Sequence, residues 1–246
     1  MRRFHVSLLG LIFSLHAASA AEVQVQPTNE KLPQVRPALL GSGPASLINT
    51  IDTQGLLKQG QKNAAVMFSC SVMKTGDIIW SGTYRGTPDS KLLEQEILNR
   101  LRTTKFVPAV FNHQPVDAMF YGTVFFANVN GKPRLRIFSN QEGEELKKES
   151  DFISPQPFIG PDSGFTGYHY PNDLPVLVSG VVELALKIDA TGMLQELTVG
   201  TEEPPLLGLD GAARDDFGRA RFIPAFRNGQ PVASSITLPV FYRPRE

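Results

Sequence analysis

Apolar and polar residues alternate along two well-separated stretches of the chain. The apolar positions are Val66, Phe68, Cys70 and Val72 in the first stretch, and Val182, Leu184, Leu186 and Ile188 in the second. Because successive side chains of a strand point to opposite faces of a sheet, this pattern predicts two strands that each bury one face. A glycine follows each stretch, at Gly76 and at Gly192, and predicts a turn into a second strand.

A helical period follows each predicted hairpin. Apolar residues recur at every fourth position, at Leu93, Ile97 and Leu101 and again at Leu209, Ala213 and Phe217. Residues with this spacing lie on one face of a helix, so each stretch predicts a helix that packs on its sheet. The predicted N-cap is Asp89 or Ser90 for the first helix and Asp210 for the second, because short polar side chains accept hydrogen bonds from the first turn.

One string of residues occurs twice, as "KFVPAVFNHQPV" at 105–116 and as "RFIPAFRNGQPV" at 221–232. Moving residues 105–126 by 116 positions onto 221–242 gives nine identities in 22 pairs without a gap. The same shift superposes the two glycine turns and the two alternating stretches. A register that holds over so long a stretch indicates an internal duplication.

The duplication predicts two repeat units. Each unit is an antiparallel sheet of about three strands with one helix packed on a face, so the expected fold class is α+β. The first unit has an extra strand at 132–138, after the hairpin signal Asn130-Gly131, and this strand covers the edge of the preceding strand, Met119 to Phe126. The second unit ends before it can form such a strand. The predicted segments are a signal peptide at 1–20, an extended proline-containing tail at 21–47, the first unit at 48–138, a charged and then Pro/Gly-rich linker at 139–175, and the second unit at 176–246.

The N-terminus has the layout of a secretory signal. Arg2 and Arg3 precede an apolar run, and small residues up to Ala20 predict cleavage between Ala20 and Ala21. The apolar run is shorter than a membrane span requires. We therefore expect an exported protein that has no stable membrane insertion after cleavage.

Charge and reactive residues exclude several classes of function. Of 24 basic and 24 acidic side chains, cleavage removes only Arg2 and Arg3, and the resulting charge of −2 argues against a nucleic-acid partner. The single cysteine, Cys70, lies on the apolar face of a predicted strand, where a thiol acts as a small hydrophobe. His113 occupies a turn position and His169 lies in the linker, and neither belongs to a catalytic or metal-binding motif. We expect no enzyme activity, no catalytic residues, no cofactor and no metal.

Four features of the second unit occur together and carry a family resemblance. They are Tyr170-Pro171, the alternating strand and glycine turn at 181–192, the helix start Leu209-Asp210, and the repeated string with its closing strand at 221–242. Together they resemble the C-terminal domain of TonB-type energy transducers, and the first unit resembles it more loosely. The resemblance implies a periplasmic, non-catalytic domain that binds short segments of outer-membrane receptors by adding the partner's strand to its sheet edge.

The resemblance and the missing fourth strand predict the position of the binding edge. An edge strand exposes unpaired N–H and C=O groups, so main-chain hydrogen bonds provide affinity and side-chain pockets provide selectivity. The last strand of the second unit is the expected edge, and Pro239 fits this position because proline in a sheet is confined to edges. The predicted partner-binding residues are Ile236, Thr237, Leu238, Val240, Phe241 and Tyr242.

Two other functions stay open at this point. The sheet edges could pair with each other, within the chain or across a homodimer, which would make the protein a structural component of the cell envelope. If the N-terminus is not cleaved, the chain would be a membrane-anchored transducer of the TonB type. The expected partner in the main reading is a protein or peptide segment of an outer-membrane receptor or another envelope protein.

Overall fold

The computed structural model describes residues 31–148, 150–160, 162–171 and 178–244. The predicted signal peptide and its cleavage site at Ala20 and Ala21 lie outside these residues, as does the first part of the predicted tail. No helix within the described residues has both the length and the hydropathy that crossing a bilayer requires. The predicted mixture of helices and antiparallel strands is confirmed.

The described residues form five helices and fourteen strands. The helices are α1 (Leu47–Thr50), α2 (Thr53–Lys58), α3 (Lys91–Leu101), α4 (Gly143–Leu146) and α5 (Leu209–Phe217). The strands are β1 (Val35–Arg36), β2 (Ala64–Val72), β3 (Ile78–Gly86), β4 (Ala109–Phe111), β5 (Gln114–Val129), β6 (Lys132–Ser139), β7 (Phe152–Ile153), β8 (Gln156–Ile159), β9 (Gly180–Ile188), β10 (Leu194–Glu203), β11 (Phe222–Ile223), β12 (Ala225–Arg227), β13 (Gln230–Val232) and β14 (Ser234–Tyr242).

The first unit is built on three antiparallel strands in the order β3-β2-β5. Helix α3 packs on β2 and β3 through Leu93, Ile97 and Leu101, which are fully buried as their spacing predicted. The other edge of β5 pairs with β4 at residues 114–116, with β8 at 117–118 and with β6 at 122–129. The predicted cover strand is confirmed from Gly122 onward, where β6 pairs with β5.

The second unit has the strand order β10-β9-β14, and α5 packs on β9 and β10. The prediction that Asp210 caps α5 is wrong, because the helix begins one residue earlier, at Leu209. Gly208 precedes it with a positive φ of 76°, and the Leu209 N–H donates to the Glu202 carboxylate at 2.7 Å instead. A carboxylate from β10 therefore replaces the local cap.

The two sheets share one hydrogen-bonding register, displaced by 116 residues. Ala64 pairs with Phe126 in the first unit, and Gly180 pairs with Tyr242 in the second. Every other pair between β2 and β5 has its counterpart between β9 and β14 at the same displacement. The hairpins β2-β3 and β9-β10 also have their bulges at corresponding positions. The sequence correspondence therefore extends to the pairing of individual residues.

The turn glycines constrain this register in both units. Gly76 and Gly192 have positive φ angles of 82° and 84°, and a side chain at either position would collide with the carbonyl oxygen of Phe106 or Phe222, respectively. The same two phenylalanines donate their N–H groups back to the glycine carbonyls, at 2.9 and 2.8 Å. Each turn is thereby tied to the segment that follows the helix. Only glycine combines this backbone conformation with this close approach.

The predicted linker at 139–175 contains α4, β7 and β8. Strand β8 pairs with β5 of the first unit and with β11 of the second, and β7 pairs with β12. Phe158 is fully buried and its ring lies 4.6 Å from that of Phe111. Gln156 is also buried, and its side-chain amide bonds both main-chain groups of Ala38, at 2.7 and 3.0 Å. This segment thus joins the two units as part of their sheets.

The buried apolar side chains form two clusters, one around α3 and one around α5. Met119 and Tyr121 of β5 belong to the second cluster, because they lie on the face of the first sheet opposite to α3. The Tyr121 hydroxyl shares a 2.9 Å hydrogen bond with the Tyr168 hydroxyl. The outer face of the first unit's sheet therefore packs against the second unit. From Leu32 onward the described residues form one compact body.

Candidate functional site

Strand β14 is an edge strand. Its one pairing partner within the described residues is β9. The side chains of Ile236, Leu238, Val240 and Tyr242 are buried, each with at most 4% exposure, and all face α5. Four of the six predicted partner-binding residues thus have their side chains in the core. These four residues hold β14 on the core and present no side chain at the free edge.

The main-chain groups of β14 that point away from β9 can be located from one hydrogen bond. The Thr237 N–H donates to the Glu142 carboxylate at 2.9 Å, so it faces outward. Because N–H groups on one side of a strand recur every two residues, Ser235 and Phe241 also face outward, and so does Pro239. Proline has no N–H, so its place on the edge leaves no donor unpaired. The edge offers donors at 235, 237 and 241.

The middle of this edge is partly covered. Glu142, just before α4, accepts from both the N–H and the hydroxyl of Thr237, at 2.9 and 3.1 Å. Both residues are exposed, so this contact competes with water and with any partner strand. An exposed hydrogen bond contributes little to stability. A strand that approaches β14 would therefore displace Glu142 at small cost.

Thr237 and Phe241 are the two predicted site residues whose side chains point away from α5. Phe241 packs against the first unit, with its ring 5.4 Å from that of Tyr84 and 6.2 Å from that of Trp80. Arg85 forms an ion pair with Glu183 beside this contact. The first unit thus packs against the face of β14 that points away from α5. Its described residues do not cover the outer main-chain edge of this strand.

A buried carboxylate fixes the end of β14. Asp216 of α5 accepts from the Tyr242 hydroxyl at 2.9 Å and from the main-chain N–H of His169 at 3.0 Å. Its other oxygen lies 2.6 Å from Nδ1 of His169. Burial, and then the charge of Asp216, raise the pKa of the Tyr242 hydroxyl above its ordinary value. Tyr242 therefore remains a neutral donor, and the network ties helix, strand and preceding segment together.

A cavity of about 290 Å³ opens at this end of β14, and we call it the aromatic pocket. Its walls come from the last β14 residues, from the segment 165–170, and from the outer face of the first unit. Its lining includes Trp80, Met119, Phe165, Tyr168, Tyr170 and Phe241. Ile79 and Ile159 lie at its rim with 69% and 41% of their surfaces exposed. The sequence analysis missed this pocket, because its walls come from parts of the chain that only folding brings together.

The surroundings of Cys70 and His113 fit structural roles. Cys70 is fully buried, and burial raises the pKa of its thiol, as its place on an apolar strand face predicted. His113 has a positive φ of 64°, which confirms its turn position. Among the described residues, no group of three or more His, Cys, Asp or Glu side chains is arranged to hold a metal ion.

Comparison with known proteins identifies one part of the chain. Residues 177–244 match the family model of the Gram-negative bacterial TonB protein C-terminal. The comparison with curated proteins and that with solved structures each gave no match. The matched residues include β9, β10, α5 and the whole of β14, so the candidate edge lies inside the matched region. This part of the chain is similar to a protein-interaction module of the bacterial cell envelope.

Proposed function

We propose that the protein is an exported, non-catalytic binding module of the periplasm that recognises an extended segment of an envelope protein by strand addition to β14. In this proposal the first unit is a second, diverged copy of the TonB C-terminal fold. One observation carries the proposal. The last strands of the two units have the same register, yet β5 is covered along its outer edge whereas β14 pairs only with β9 among the described residues.

The main chain provides the affinity in this proposal. A partner strand beside β14 meets outward donors at Ser235, Thr237 and Phe241, while Pro239 leaves a gap in the ladder. Strand addition of this kind needs only main-chain groups from both partners. The four buried β14 side chains hold the edge in place, and the aromatic pocket lies where a partner's side chain could be selected.

The test uses display of random twelve-residue peptides against the purified, signal-free chain. We expect a set of peptides that bind the chain and lose at least tenfold in affinity for the variant Thr237→Pro. This substitution removes one outward N–H from the edge, where proline is tolerated. The matched control is Thr237→Val, which keeps the N–H and removes only the hydroxyl, and should bind within about twofold of the wild type, less than a net hydrogen bond contributes.

Thermal unfolding of both variants checks that the fold persists. Selected peptides that bind Thr237→Pro as well as the parent would exclude β14 as the binding edge. If no peptide is selected and the chain sediments as a fixed dimer, the sheet edges pair with each other instead. N-terminal sequencing of the natively expressed protein decides whether residues 1–20 are removed.

A further inference from the structure

In the first unit, strand β6 occupies the edge of β5 that corresponds to the free edge of β14 in the second unit. Strand β6 lies antiparallel along β5 and places Leu135 opposite Phe126 and Ile137 opposite Val124. Both β6 side chains pack against the core cluster around α3. In this unit, therefore, an added strand contributes alternate large apolar residues to the core.

Because the two units have the same register, the pairing of β6 with β5 predicts how a strand would pair with β14. A displacement of 116 residues places Phe126 on Tyr242 and Val124 on Val240. A strand that pairs with β14 as β6 pairs with β5 would thus place a residue opposite Tyr242, where Leu135 stands in the first unit. Beside Tyr242 the second unit has the aromatic pocket, with a volume of about 290 Å³.

The pocket has the character of a site for an apolar side chain. Its volume equals that of roughly ten water molecules, which exceeds a packing defect. Buried and half-buried aromatic side chains form its walls, and the exposed Ile79 and Ile159 extend it at the rim. Exposed apolar residues around a concave site mark interaction surfaces. Two of its lining residues, Phe241 and Tyr242, end β14, and a third, Arg243, follows directly.

We propose that the aromatic pocket holds one large aliphatic or aromatic side chain of the partner strand, which runs antiparallel to β14 and places this residue opposite Tyr242. The inference rests on the proposed function and adds the direction, the register and the anchor residue of the partner. It also assigns the first unit a part in selectivity, because Trp80 and Met119 belong to that unit and line the pocket.

The probe is a synthetic peptide with the sequence of residues 131–140, GKPRLRIFSN, titrated onto the full signal-free chain. Trp80 is the chain's single tryptophan and lines the pocket, so its fluorescence reports occupation directly. We expect the peptide to bind and to shift the Trp80 emission. Replacing the peptide's leucine by alanine should weaken binding at least tenfold, whereas replacing the arginine before it should change binding less than threefold.

A variant of the chain provides the reciprocal test. Ser71 lines the pocket, so the Ser71→Phe side chain should fill it. We expect this variant to bind the parent peptide at least tenfold more weakly, and to bind the alanine peptide as the unchanged chain does. The matched control is Lys187→Phe, which lies at the corresponding strand position of the second unit, is exposed, and does not line the pocket. Should Ser71→Phe fail to fold, the pair of peptides still decides the question.

The outcomes separate this inference from the proposed function. If the parent and alanine peptides bind equally, or the Trp80 emission does not change on binding, the pocket holds no anchor residue. If displayed peptides bind through Thr237 but the 131–140 peptide does not bind, the antiparallel register is wrong while strand addition stands. If neither binds, both proposals fail.

Discussion

The first and second units share their strand register, their turn glycines and their helix faces, yet they treat the last long strand in opposite ways. In the first unit β6 continues the sheet, and β4 and β8 complete the cover of β5. In the second unit the outer edge of β14 contacts the exposed carboxylate of Glu142, and no strand but β9 pairs with β14 in the part of the chain that the structure describes. Two sheets of corresponding register can therefore have a closed edge or an open one. The difference is that β6 pairs beside β5, whereas no described strand takes the corresponding place beside β14.

The polar contacts at the end of this strand also differ. Tyr242 is held by the buried carboxylate of Asp216, whereas the corresponding residues of the first unit are Phe126 and Arg100. The first unit thus closes the end of its sheet with apolar packing, and the second closes it with hydrogen bonds to a segment that precedes its first strand. Four sets of substitutions test how far this comparison extends.

The largest expected effect is at the turn glycines. Gly192→Ala forces a side chain onto the Phe222 carbonyl at a positive φ, and we expect a loss of about 3 kcal/mol in the free energy of unfolding, measured with urea. Gly76→Ala should cost a similar amount. The control is Gly229→Ala, where φ is also positive but no atom lies within 4 Å, so about 1 kcal/mol is expected. Unequal costs for Gly76 and Gly192 would contradict the equivalence of the two turns.

The next effect is at the buried carboxylate of the second unit. Asp216→Ala leaves the Tyr242 hydroxyl and the His169 N–H without their acceptor, and should cost about 2 to 3 kcal/mol in urea unfolding. Tyr242→Phe should cost about 1 kcal/mol and should cost nothing further in the Asp216→Ala background. Arg100→Ala, at the corresponding position of the first unit, is a surface change expected to stay within about 0.5 kcal/mol. Additive losses in the double variant would show that the hydroxyl and the carboxylate act independently.

Substitutions in strand β6 should have a smaller effect, which is limited to the free energy of unfolding. Leu135→Ala removes a partly buried side chain that packs against the first core, so we expect a loss of about 1 to 2 kcal/mol. Arg134→Ala, on the exposed face, should be neutral. Binding of displayed peptides should not change with either variant, because β14 belongs to the other unit. A change in peptide affinity for Leu135→Ala would place a binding edge on β5.

The smallest effect concerns Glu142. Glu142→Ala frees the outward N–H of Thr237, and displayed peptides should bind about threefold more tightly, consistent with an exposed hydrogen bond. The control is Glu144→Ala, since Glu144 contacts Lys147 and not β14. Fluorescence polarisation of labelled peptides measures both. Weaker binding to Glu142→Ala would mean that the carboxylate contacts the partner.

Much of the fold followed from local patterns in the sequence. Alternation at 66–72 and 182–188 gave both central strands, because a strand with one buried face must alternate. The fourfold spacing at 93–101 and 209–217 gave both helices, and the positive-φ turns followed from Gly76, His113 and Gly192. The cap at Asp210 was wrong because α5 already begins at Leu209, whose N–H donates to Glu202, seven residues earlier on β10. The strands between the two units were not predicted either. The prolines of this segment indicate a linker, whereas Phe152 and Phe158 are buried by residues far away in the chain.

The sequence by itself determined the two central strands, the two helix faces and the turn positions. These depend on neighbours within one strand, one turn or one helix, and such neighbours are close in the chain. Only the tertiary structure decided which main-chain donors of β14 point outward, that Glu142 covers Thr237, and that four of the six predicted contact side chains are buried. It also decided that Trp80 of one unit and Tyr168 before the other form a single pocket. Those features depend on packing between residues far apart in sequence, which no local pattern encodes.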